Sequence, residues 1–179
     1  MPDELEWDDE PGGTYGCLFC RTGTERHVAQ RLTQFEGVQN AFAVVQMKHC
    51  SHEGVKSMVE TVMMPGYVFF YAKPDLETYL IYRNIEPALR LLTYHGAWAL
   101  QGQDLSFAEW LARSGGMLGV SKVYREGERV VVADGPLKDL QGAICKVDRH
   151  NRNGQVEINF GGKRMKVWLA FEYIMEDKQ

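Results

Sequence analysis

The chain has 179 residues, 45% of them hydrophobic and 25% charged, with 6 prolines and a formal net charge of −4. That length can bury one core or two small ones, the composition is globular and not that of a long disordered chain, and the net acidity excludes a uniformly basic nucleic-acid binder. No apolar run reaches the roughly 18 residues of a membrane span, and Met1–Glu10 is acidic where a signal peptide is basic and then apolar, so a cytoplasmic protein with no membrane partner is expected.

Cysteines at 17, 20, 50 and 145 are too unevenly spread for a disulfide framework and read as reduced. Tyr15–Cys20 reads as a buried strand. Thr22-Gly-Thr-Glu25 has capping-box spacing for a helix carrying Val28, Leu32 and Phe35, which Gly37 ends. Ala41–Met47 is strand-like, His49–Lys56 is a loop or hairpin tip, and Val59–Met64 leads through Pro65-Gly66 into the strand Tyr67–Tyr71. Asp75 is placed to cap a second helix bearing Leu76, Tyr79, Leu80 and Arg83. Leu89–Tyr94 closes this part as a strand.

Ser106-Phe-Ala-Glu109 has capping-box spacing for a further short helix with Phe107, Trp110 and Leu111. Beyond it Ser114-Gly-Gly-Met-Leu-Gly119 reads as a linker, and the hydrophobic period changes from helical to two. The resulting division is an N-terminal domain at 14–113, a linker at 114–126 and a C-terminal domain at 127–179. Strands Glu128–Ala133, Ala143–Val147, Gln155–Phe160 and Lys163–Ala170, with Phe171–Met175 closing, predict a small β-barrel whose tight turns are Asn153-Gly154 and Gly161-Gly162. The overall class is α+β.

Charge divides unequally along the chain: Lys138–Lys166 carries 7 basic residues against 3 acidic ones. Lys138, Lys146, Arg149, His150, Arg152, Lys163, Arg164 and Lys166 fall on turns and hairpins, where tips at one end of a barrel would form a single patch following an RNA backbone. The other reading of Arg149-His-Asn-Arg152 is a solubilising turn. Cys17-x-x-Cys20 does not read as a metal site, because residues 17 and 20 on one strand point to opposite faces. No phosphate loop, H-E-x-x-H or G-x-S-x-G is present; neither an enzyme nor a cofactor is expected.

Three motifs in order resemble the bacterial NusG family of transcription elongation factors. Tyr15-Gly-Cys-Leu-Phe-Cys-Arg-Thr-Gly23 is similar to the family's opening strand and turn, Met64-Pro-Gly-Tyr-Val-Phe69 to its Phe-Pro-Gly-Tyr strand, and Gly135-Pro-Leu-Lys-Asp-Leu-Gln-Gly142 to its KOW motif. Gly16 stands where the family has an aromatic, and Met64 where it has Phe. Leu18-Phe-Cys-Arg-Thr-Gly23 resembles the RfaH-like specialised antiterminators. Ile144-Cys-Lys-Val-Asp-Arg-His-Asn-Arg152, followed by Val156-Glu157, resembles the LoaP branch.

The resemblance implies an N-terminal α/β sandwich that binds RNA polymerase, joined to a KOW β-barrel, in a monomer. Phe19, Met64, Tyr67 and Phe69 would line a cavity for the β′ clamp helices, and Arg21, His27 and Arg31 would approach non-template DNA, with an ordinary solvated helix face as the other reading. Phe160 matches a contact for a ribosomal protein or termination factor, or is core. The function implied is operon-specific processive antitermination with a nascent RNA hairpin bound by the KOW domain. Two alternatives stand beside it: a general elongation factor coupling polymerase to ribosome or termination factor, and a KOW RNA-binding module of ribosome assembly.

Overall fold

The structure is a computed structural model that describes residues 12–174; the acidic leader and Met175 lie outside the described residues. The chain is mixed α+β and divides into two compact units. The first unit comprises Met1–Val44 with Val62–Met117, the second Val45–Thr61 with Leu118–Gln179. The segment 49–56, expected as a loop or hairpin tip, therefore groups with the C-terminal strands, a long-range assignment that no local pattern signals.

In the first unit, β1 (Thr14–Cys20), β2 (Val38–Ala43), β5 (Tyr67–Ala72) and β6 (Ala88–Leu91) form an antiparallel sheet in the order β2-β5-β1-β6. Alternation sends successive side chains to opposite faces. Leu18, Cys20, Val68, Phe70 and Ala72 pack on Val28, Ala29 and Leu32 of helix α1 (Glu25–Leu32) and on Ile81 of helix α2 (Tyr79–Asn84). Each buried Val, Leu, Ile or Phe side chain here contributes about 1.5–3 kcal/mol. On the opposite face Phe69 stacks on Phe42 at 5.7 Å and meets Phe107 of helix α3 (Gly102–Arg113) edge-on at 6.4 Å.

Gly16 has a packing reason. It pairs directly with Phe70, and a Cβ there would stand 2.3 Å from the Phe70 ring and 2.7 Å from Trp98. The cross-strand aromatic occupies the space that a side chain at 16 would need.

Helix starts differ from the expected caps. Thr22 and Ser106 do not cap; α1 begins at Glu25, and α3 begins four residues before Ser106. Ser106 lies inside α3 and its hydroxyl donates to the Gly102 carbonyl at 3.2 Å, the back-bond a serine makes within a helix. The helix expected to be capped by Asp75 begins at Tyr79.

The second unit contains the hairpin β3 (Val45–His52) and β4 (Val55–Val62), turned by Glu53 and Gly54 at φ 50° and 79°. With β7 (Met117–Leu118) these strands have the order β4-β3-β7. The remaining strands, β8 (Ser121–Glu126), β9 (Arg129–Asp134), β10 (Ile144–Asp148), β11 (Asn153–Phe160) and β12 (Lys163–Tyr173), form one sheet ordered β10-β11-β12-β8-β9.

Three expectations change here. Residues 121–126, read as linker, form β8, which pairs with β9 and runs parallel to the end of β12. Among the described residues the barrel is not closed by hydrogen bonds: β9 and β10 are the two end strands of the sheet. Between them the chain forms α4 (Pro136–Asp139) and a short 3-10 turn, burying Leu137 beside a cleft of about 210 Å³ lined by Val130, Val132, Ile144 and Val147. Asn153-Gly154 is not the β10–β11 turn. Both residues are buried in β11, and a Cβ on Gly154 would press on Leu137 at 3.1 Å, so this glycine serves packing. The turn is Arg149–Arg152, with φ 55° at Arg152. Gly161-Gly162 does turn the next hairpin, at φ 59° and 74°.

Candidate nucleic-acid interface

Pairing register decides which basic side chains share a surface. In an antiparallel pair, directly opposed residues project to the same face. Gln155 opposes both Lys146 and Trp168, Glu157 opposes Lys166, and Asn159 opposes Arg164. Lys146, Arg164 and Lys166 thus lie on the outer face with Trp168, while Val156, Ile158 and Phe160 alternate into the core. The Lys146 ammonium sits 5.9 Å over the Trp168 ring. Arg164 is held 3.4 Å from Glu157.

The expected single patch of hairpin tips is replaced by a track. Arg149, His150 and Arg152 lie at one end of β11 and Lys163 and Arg164 at the other, roughly 25 Å apart at 3.3 Å per residue. Lys138 stands apart on α4. The turn itself is ordered from within. Asp148 accepts from the Asn151 amide at 3.0 Å and from its side chain at 2.8 Å, bonds that hold its carboxyl below the usual carboxylate range. Arg149 donates to the Glu128 carbonyl, leaving His150 and Arg152 exposed.

Beside this turn the β3–β4 hairpin forms the second wall of a groove of about 580 Å³. Lys48 and Lys56 come from the hairpin, His150 and Arg152 from the turn, and Trp168 from β12. His49 ties the wall to the sheet, its Nε2 lying 3.1 Å from the Phe171 carbonyl. Lys48, Lys56 and Trp168 were not among the sequence candidates. Their only sequence signal is a polar hairpin and an aromatic alternating with lysines, and neither indicates that the two segments meet.

The expected polymerase-facing residues separate in the first unit. Phe19 and Tyr67 oppose each other across β1 and β5, half-buried, with ring centroids 4.8 Å apart and the Arg90 guanidinium 4.1 Å over Phe19. Burial raises the Tyr67 phenol above its ordinary pKa, the nearby Cys17 adds to the rise, and Arg90 opposes it. Met64 and Phe69 are 1% and 0% exposed; their side chains are core, Phe69 because Phe42 and Phe107 enclose it. Phe160, at 1%, is core in the second unit.

Arg21, His27 and Arg31 are exposed on or before α1. Arg21 pairs with Glu86 at 3.4 Å, and Arg31 donates to the Asn84 carbonyl at 3.3 Å. The exposed Arg21–Glu86 pair is weak enough to yield to another anion.

No protein-family model matches the chain, and no curated protein matches its sequence. Among solved structures, one described as "Domain interaction in Thermotoga maritima NusG" matches with a TM-score of 0.52 at 18% identity, covering 88% of this chain and 93% of that one. At that identity the likeness concerns architecture, and the chain accordingly has a NusG-like, mixed α+β fold.

Proposed function

We propose that this protein is a transcription elongation factor of the specialised, LoaP-like kind: a cytoplasmic processive antiterminator. Its first unit binds the β′ clamp helices of RNA polymerase through a surface centred on Tyr67 and Phe19, and its second unit binds a hairpin in nascent RNA. The NusG-like fold supports the general role. Two half-buried aromatics in edge contact beside an arginine are suited to the few anchors by which a helix tip is held in a groove. Arg21, His27 and Arg31 face non-template DNA in the same reading.

The observation that carries RNA reading over coupling to a ribosomal protein or termination factor is the fate of Phe160. A protein-coupling factor needs an apolar surface there; the side chain is core, and the exposed side of the same hairpin is basic around Trp168. The test is binding of the full chain to polymerase core enzyme and, over a salt series, to structured leader RNAs. Selective RNA binding that Arg149→Ala/Arg152→Ala weakens supports the proposal. Polymerase binding together with uniformly weak binding to every RNA points to the general factor, and no polymerase binding by the wild type sinks the elongation-factor reading.

A further inference from the structure

The groove of the second unit has a composition that an ordinary phosphate-following surface does not require. It combines a half-open recess with one large aromatic and cations on both walls. Its volume of about 580 Å³ falls within the roughly 300–1,000 Å³ of small-ligand sites. Lys48 and Lys56 stand on the hairpin wall, His150 and Arg152 on the turn wall, and Trp168 lines the recess between them.

Asn153 lines the same recess and is 9% exposed. Its Nδ2 donates to the Asn151 carbonyl at 3.0 Å, which fixes the orientation of the amide. Its Oδ1 is buried, with no hydrogen-bond partner among the described residues. That oxygen is enclosed, so Asn153 shapes the turn wall through its Nδ2 bond.

We propose that this groove is a slot for one unpaired nucleotide of RNA, a loop or bulge base splayed from its stem. The base stacks on Trp168, and phosphates flanking it pair with Lys48, Lys56 and Arg152. The chemistry is that of single-strand recognition, in which an aromatic platform takes the base and cations follow the backbone. A regular duplex offers neither a free base face nor a segment thin enough to enter a recess. The proposal rests on the RNA-binding reading above and adds to it the structure of RNA required and the participation of the β3–β4 hairpin.

The test measures full-chain affinity for three probes: a stem–loop RNA with one single-nucleotide bulge, the same stem–loop without the bulge, and the fully paired duplex of the same sequence. The expected order is bulged above unbulged above duplex. Trp168→Leu should weaken the bulged probe about tenfold or more while Trp168→Phe retains most of the affinity, since the ring face is what matters. As the partly buried Trp168 also packs, the exposed pair Lys48→Ala/Lys56→Ala gives an independent readout: it should lower the slope of log affinity against log salt by about 1.4, the value for two lost phosphate contacts on a single strand. Equal binding of duplex and bulged probes, indifferent to both sets of variants, overturns the slot and leaves RNA binding by the turn intact. Failure of the wild type to bind any of the three overturns both.

Discussion

The Glu25 carboxylate accepts the amide hydrogen of Gly66, 41 residues away, at 2.7 Å, and also takes the Gly23 amide at 3.0–3.1 Å. One buried acidic side chain thereby joins the start of α1 to the Pro65-Gly66 turn that presents Tyr67. The expected capping box is absent at Thr22, but its acidic member still satisfies backbone donors, one of them from a distant loop.

This arrangement predicts a pH dependence. Burial by itself would raise the carboxyl, but hydrogen bonds from the Gly66 amide, its own amide and the Gly23 amide outweigh it, so the folded-state pKa is lowered. A depressed carboxylate stabilises above its unfolded pKa, and that stability is lost as pH falls through the folded value. Glu25→Gln should therefore lower stability by about 1.5–3 kcal/mol at neutral pH, with a smaller difference from wild type in acid. Denaturant melts at neutral and acidic pH check both signs; equal destabilisation across the range would count against the charge.

Gly16 should tolerate no side chain. Gly16→Ala places a methyl group where the Phe70 and Trp98 rings lie, and overpacking of this kind costs about 1–3 kcal/mol. A calorimetric midpoint unchanged in Gly16→Ala would show that the rings move aside freely.

Tyr67 and Phe69 should behave oppositely though they stand two residues apart. Phe69→Ala removes a wholly buried ring and should destabilise by about 3–5 kcal/mol. Tyr67→Ala, at a half-buried site, should leave the fold intact by circular dichroism while abolishing capture of polymerase. Polymerase binding unaffected by Tyr67→Ala would remove the aromatic anchor from the proposed surface.

Arg152 offers a way to separate backbone from charge. Its φ of 55° is one that glycine adopts at little cost. Arg152→Gly should leave the turn as stable as wild type or more so, yet weaken RNA binding and flatten its salt dependence by about 0.7–0.9 per lost phosphate contact. A variant that unfolds or binds RNA unchanged would contradict this role.

Much of the architecture was legible in the order of local signals. The apolar runs around Leu18 and Val68 and the period-two run around Val156 marked strands, the helical spacing of Val28 and Leu32 marked α1, and Gly161-Gly162 marked a tight hairpin, because these patterns arise from geometry within a few residues. The basic stretch Lys138–Lys166 was equally visible, since charge is written directly in residue type.

Tertiary structure alone decided which face of each strand became covered. Alternation separates Tyr67 from Val68 but does not indicate that Phe107 of α3 arrives over Phe69, or that Phe160 turns inward while Trp168 stays on the outer face. Asn153-Gly154 shows the same limit: a dipeptide with turn chemistry became strand because Leu137 needed the space above Gly154. The groove was the least legible feature, for Lys48 and Arg152 meet across about a hundred residues. Such a meeting depends on packing between distant segments, and no local propensity encodes it.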